Sequence, residues 1–273
     1  RPGFDLALKL EKCLEENPGI RGIVLEGHGL FTWGDTSYEC YLNSLDVIEQ
    51  ASAYIEQKVN ENGKIFGGAR ISALTENQRR QQAAAIAPVL RGLCSSEKNM
   101  IGHFTDADRV LQFANSIDLD RLAPMGTSCP DHFLRTKIQP LVLKIEPDAT
   151  WTSAGELREK LEPMFEQYRQ EYRTYYERCQ HPDSPPMRDP NPVVIIWPGV
   201  GMFTFAKNKQ TARVASEFYI NAINVMRGAE AISEYTALTR QEAFNIEYWL
   251  LEEAKLKRQP PEIEGLLGCG SDA

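Results

Sequence analysis

The side chains in this sequence best suited to chemistry are few and unevenly placed. His28 stands between Gly27 and Gly29, on a turn between two apolar runs, Gly22 to Glu26 and Leu30 to Trp33. Neutral imidazole is the commonest protein metal ligand, and a tight turn can hold the ring toward a cleft. The plainer alternative is a histidine hydrogen-bonded within its own turn. A catalytic metal site needs about three protein ligands and one open position. His28 therefore makes one ligand and not a site. The other histidines, His103, His132 and His181, form neither His-x-His nor His-x-x-x-His pairs. Any shared site would have to be assembled by the fold.

A second cluster runs from Gly126 to Lys137. Thr127 and Ser128 offer hydroxyl and backbone donors, and Arg135 and Lys137 offer positive charge. Together they could grip a phosphate or carboxylate. The plainer reading is a solvated loop followed by a helix start. Cys129 and His132 lie close enough in sequence to be considered as a nucleophile and its base. Each is equally consistent with ordinary packing. No phosphate-cradling P-loop or dinucleotide fingerprint is present. Gly199-Val200-Gly201 lacks a third glycine and leads into a strand instead of a helix.

Strands alternate with helices along the chain, which predicts an α/β architecture. Helices are expected over 4–16, from Asp35 or Thr36 to about Asn60, over 75–93, 106–116, 152–179, 209–231 and 240–257. Short buried strands are expected at 22–26, 30–33, 141–145, 193–197 and 202–205. His181 to Pro192 is proline-rich and reads as an extended loop. The tyrosines of the 152–179 helix read as a packing or interface face.

Two passages share a plan. Ile23 to Gly34 and Ile195 to Ala206 both read apolar run, Gly-x-Gly, apolar run, and each enters a long helix. Tyr41 to Ile48 in the first helix matches Tyr219 to Met226 in the second. This indicates duplication of one strand–turn–strand–helix unit. The turn differs at one informative position, where His28 in the first copy stands against Val200 in the second. Glycines serve the backbone of such a turn, and the turn itself does not need an imidazole.

The 273 residues carry a net charge of −8, with 42% hydrophobic and 25% charged residues. That composition suits a soluble globular chain. The acidic balance argues against a nucleic-acid partner, which needs clustered Lys and Arg. No apolar run approaches the length of a membrane span, and no signal peptide opens the chain. The six cysteines show no Cys-x-x-Cys spacing and read as free thiols of a reducing cytoplasm.

The segment Glu26 to Thr36, with Glu39 and Tyr41, resembles the late metal-ligand motif of the class II aldolase/adducin family, with Gly27 where members often carry Asn. Together with Gly126 to Lys137, His181 to Pro185, Pro198 to Lys207 and Glu247 to Ala254, it resembles the aldolase part of the bacterial bifunctional rhamnulose-1-phosphate aldolase/alcohol dehydrogenases. The resemblance runs to about Glu262. It implies a three-layer α/β/α fold with a degenerate second copy of the repeated unit, a zinc ion and homo-oligomers. It also implies reversible cleavage of L-rhamnulose 1-phosphate to dihydroxyacetone phosphate and L-lactaldehyde.

Of the three family histidines that hold the metal, only His28 has a counterpart. The His-x-His pair and the acid/base carboxylate belong to sequence before this segment. The chain alone is thus expected to be an incomplete enzyme, with Thr127, Ser128, Arg135 and Lys137 as substrate-binding candidates. The family's dehydrogenase part would follow Pro261, so no NAD site is expected. The expected division is 1–93 as the end of one aldolase-like domain, 94–262 as a second, degenerate unit, and 263–273 as a tail. The competing reading is a non-catalytic scaffold module on the same fold.

Overall fold

A computed structural model describes residues 4–25, 29–96, 98–127, 129 and 132–257. Its core is a four-stranded mixed sheet of order β3-β6-β5-β4. These strands are β3 (Ile101–Thr105), β4 (Leu141–Val142), β5 (Val194–Trp197) and β6 (Gly201–Ala206). β3 and β5 run antiparallel to β6, and β4 runs parallel to β5. β5 is buried at every position, which explains its unbroken apolar run: both faces of the sheet are covered.

Alternate side chains of β5 and β6 face two cores. On one side Ile195, Trp197, Phe203 and Phe205 pack with α3 (Glu76–Cys94) and α7 (Ala154–Cys179). On the other, Val194, Ile196 and Met202 meet α4 (Asp108–Ala114), α5 (Leu119–Leu122) and α8 (Lys209–Ile232). The result is the expected α/β fold in three layers. A third cluster joins α6 (Phe133–Thr136), the end of α7 and α9 (Arg240–Glu247).

The first copy of the repeat is a separate two-stranded sheet, β1 (Gly22–Leu25) with β2 (Gly29–Thr32), leading into α2 (Ser37–Asn62). It follows α1 (Phe4–Glu16). The two hairpins share one register: Val24 opposes Leu30, and Ile196 opposes Met202. The offset that carries Gly29 onto Gly201 also carries Thr32 onto Thr204. Each of these threonines bonds a carbonyl on the helix behind it, Cys40 O at 3.4 Å and Ala212 O at 2.7 Å. The same offset carries the α2 cap Thr36 onto the α8 cap Asn208, and each accepts a backbone N–H three residues on.

One sequence expectation is corrected by this offset. Tyr219 stands opposite Val47 and not Tyr41, so the resemblance between the two helices is out of step with the structural repeat. The helices of the copies also pack together. Glu56 pairs with Arg227 at 2.7 and 3.1 Å, and a Cβ on Gly228 would sit 3.1 Å from Ile55 Cγ2. Under the hairpin offset, Ile55 corresponds to Arg227 and Glu56 to Gly228. Each helix thus offers the same two positions to the other, the pattern of a local twofold axis.

Other departures are local. The first hairpin is not buried as expected: Val24 is 74% exposed where its counterpart Ile196 is 1%. Ile101–Thr105, where no element was expected, is strand β3 beside β6. The strand expected over 141–145 holds only Leu141–Val142. The last helix is two, α9 and α10 (Leu250–Lys257), parted at Tyr248 and Trp249. α3 shares its core with β5, β6 and α7, so the expected division at 93 falls at the end of a helix belonging to the second core.

Candidate functional site

Gly126 opens the polar segment with φ 85°, and a Cβ there would lie 2.3 Å from Ile138 O. Only glycine fits this approach, which brings the backbone at 126 against that at 138. Within it Thr127 is buried. Its hydroxyl lies 3.0 Å from His132 Nδ1 and accepts from the Cys129 N–H at 3.2 Å. The His132 ring meets Phe218 of α8 edge-on at 4.8 Å. Thr136 donates to His132 O at 3.0 Å. His132 is therefore built into the loop by its main chain, its ring nitrogen and its ring edge.

Lys137 follows with φ 59° and ψ −179°, a backbone region that side-chain-bearing residues rarely occupy. That conformation turns its side chain inward. The ammonium donates to Asp189 O and to Asn191 O, the latter at 2.6 Å, and sits 4.1 Å from the centre of the Tyr172 ring. Burial pushes its pKa down to about 8, against the pull of Glu247 and Asp189. Lys137 thus fastens the 189–191 chain to α7. Arg135 is only half-buried and lies on the same short helix. The structure brings Thr127 and Arg135 onto one loop, while Lys137 points into the protein. Ser128 and His28 lie outside the described residues.

Behind Lys137 is a network that the sequence reading missed. Glu247, 0% exposed, accepts from Tyr172 Oη at 2.7 Å and Tyr175 Oη at 3.1 Å. Tyr172 and Tyr248 hydroxyls are 2.7 Å apart, and the Arg188 N–H donates to Tyr248 Oη at 3.2 Å. With Tyr172 donating to Glu247, Tyr248 donates to Tyr172. The chain of donors closes without an unpaired hydroxyl. Arg188 also donates to Glu247 O at 2.9 Å and pairs with Glu253. Burial raises the Glu247 carboxyl above its usual range, opposed by the two tyrosine hydroxyls, Lys137 and Arg188. Burial likewise pushes Tyr248 up to about 12.

The partners in this network are some 75 positions apart, so no local motif announces them. One signal was available. Glu247 falls on the helical face of Ala243, Phe244 and Tyr248, all buried, and a carboxylate at a core position demands partners.

The turn equivalent to His28 is closed in the second copy. Gly199 has φ 83°, and its N–H donates to Asn115 Oδ1 at 2.6 Å. A Cβ on Gly199 would meet Pro147 at 2.6 Å, and Val200 is 0% exposed. Among the described residues no three His, Cys, Asp or Glu side chains gather so as to hold a metal ion. His103 pairs with Thr204 across β3 and β6, and burial lowers its pKa. His181 is exposed, 2.9 Å from Asn245 Oδ1.

A three-layer α/β sheet with a duplicated hairpin–helix unit defines the class, and residues 81–256 match the family described as "Aldolase class II, second domain". The chain belongs to that family. It is similar to a Bacillus subtilis (strain 168) protein called "Uncharacterized oxidoreductase YuxG", at 37% identity over 264 residues. The match covers 97% of this chain and 38% of that protein, so the chain spans well under half of its relative's length. No solved structure matches. No helix among the described residues is long and apolar enough to cross a membrane.

Proposed function

We propose that this chain forms part of a metal-dependent aldolase acting on a sugar phosphate. The reaction is the reversible cleavage of L-rhamnulose 1-phosphate to dihydroxyacetone phosphate and L-lactaldehyde, carried out in the cytoplasm by a homo-oligomer. The family match supports the reaction type. The observation that carries the assignment is the repeated hairpin: two copies share register, cap and threonine bond, yet one turn bears His28 and the other a buried Val200. The Gly-x-Gly sequence serves such a turn without an imidazole, and metal ligation would give the imidazole a use.

In this reading His28 is one zinc ligand, and the remaining donors are not found among the described residues. No catalytic step is therefore assigned to side chains described here. Thr127, Ser128 and Arg135 would contact substrate phosphate, and Lys137 would hold the loop in shape.

The test is zinc content of the purified chain beside His28→Ala, with release of dihydroxyacetone phosphate assayed in parallel. Bound zinc that the variant loses supports the reading. Zinc bound equally by both proteins would sink the role of His28, and zinc in neither would favour the scaffold reading below.

A second reading, a scaffold module on this fold, is favoured by the second copy. There the turn is plugged by Pro147 and Asn115 and the candidate lysine is committed to backbone carbonyls.

A further inference from the structure

We propose that a cavity of about 530 Å³ beside α7 binds a small hydroxylated anion, a polyol or sugar that carries a phosphate or carboxylate. Its volume lies within the roughly 300–1,000 Å³ usual for small-ligand sites. None of its lining residues belongs to the first copy of the hairpin, and the proposal does not depend on the aldolase reading.

Three tyrosines line it, and none has an O–H proton left to donate. Tyr168 donates to Gln139 O at 2.9 Å, while Tyr172 and Tyr175 donate to Glu247. What they present to the cavity is ring surface. The C–H face of a sugar or polyol packs well on such a surface, as does any flat apolar body.

The two ends of the cavity differ in charge. At one end the Glu171 carboxylate accepts from Gln139 Nε2 at 3.1 Å and Gln167 Nε2 at 2.9 Å. A carboxylate has about four acceptor positions, so capacity remains for ligand hydroxyls. At the other end is Arg178, while Arg240 lies nearer Glu171, joined to it through the Gln139 amide. Arg178 makes no hydrogen bond or ion pair among the described residues, and it stands roughly 10 Å along α7 from Glu171 by helix rise. Arg240 donates to Pro124 O and Gln139 Oε1, both at 2.8 Å, from one of its terminal nitrogens. Both guanidiniums draw down the pKa of Cys179, which burial raises, so both project their field onto this wall.

The arrangement selects. A bare anion gains the arginines but faces Glu171. A neutral polyol gains Glu171 but leaves the Arg178 guanidinium without a partner. A molecule with an anionic head and hydroxyls on its body satisfies both ends.

The experiment is isothermal titration of the full chain with glycerol 3-phosphate, gluconate, inorganic phosphate and glycerol. Saturable binding of glycerol 3-phosphate or gluconate is expected, the tighter of the two naming the head group. Inorganic phosphate and glycerol should each bind more weakly. Arg178→Ala removes a charge-assisted contact and should weaken binding by roughly tenfold or more. Its side chain is exposed and unbonded, so the fold should be untouched, which circular dichroism checks. His28→Ala should leave binding unchanged. No saturable binding, no effect of Arg178→Ala, or loss of binding in His28→Ala would overturn the proposal. The last outcome would place the ligand at the other turn.

Discussion

Glu247 and Lys137 show how much one buried charge requires. The carboxylate is satisfied by two tyrosine hydroxyls and flanked by Lys137 and Arg188. Removing one member of a buried charged set leaves the others uncompensated, which costs about 3–5 kcal/mol. Glu247→Ala is therefore expected to lower the urea unfolding free energy by that amount, whereas Glu177→Ala on the exposed side of α7 should change it by less than about 0.5 kcal/mol. Equal effects would deny the network its structural role. Lys137 allows a test with a definite sign. Its folded pKa of about 8 lies below the ordinary lysine value of 10.5, so between these values the unfolded chain binds more protons than the folded one. Stability attributable to this group rises with pH across that window, because deprotonation relieves the burial of charge. Urea melts of wild type and Lys137→Met at pH 8 and pH 10 should show the difference moving in favour of wild type at the higher pH. A difference that is flat, or moves the other way, would place the lysine's pKa elsewhere.

At the scale of elements, the repeat was legible because hairpin chemistry is local. Gly-x-Gly between two apolar runs fixes turn and register together, and a capping residue fixes where the helix begins. The α2/α8 pairing was misread by sequence similarity alone, since Tyr41 and Tyr219 resemble each other without occupying equivalent turns. β3 was missed because Gly102 and His103 interrupt its apolar pattern. It is a strand through pairing with β6, which no window of five residues records. The Gly126–Lys137 loop was legible as a polar cluster but not as a conformation. Lys137 points inward because of a backbone angle that its residue type does not suggest. The cap equivalence predicts a measurable parallel. Thr36→Ala and Asn208→Ala each remove the side chain that accepts an N–H of the first turn, at a cost of about 1 kcal/mol. Hydrogen exchange should show the loss confined to the first turn of α2 in one variant and of α8 in the other. Spread of either loss into the opposite helix would mean the two copies are more tightly coupled than their packing indicates.

Over the whole molecule the copies have unequal support, and this governs how the chain should unfold. The second hairpin lies within a four-stranded sheet, with helices on both faces and Ile195, Trp197 and Met202 each 0% exposed. The first hairpin stands as a two-stranded sheet. α1 has no buried residue and α2 only Val59, while Phe4, Val24, Tyr38 and Tyr41 are more than half exposed. A two-stranded hairpin is marginal in water without such cover, and apolar burial of about 25 cal/mol per Å² is the main term opposing chain entropy. What attaches the first copy is the α2–α8 contact, with its Glu56–Arg227 pair and the close approach at Gly228. Residues 4–62 should therefore open at a lower free energy than the sheet of the second copy, as a separate cooperative unit. Native-state hydrogen exchange in low denaturant should show β1, β2 and α2 amides exchanging together, well before β5 and β6. Gly228→Leu, which drives a side chain into Ile55, should lower the first opening energy further and leave β5 and β6 protection unchanged. A single opening energy shared by both hairpins would overturn this picture, because it would mean that the α2–α8 contact transmits the full stability of the second core.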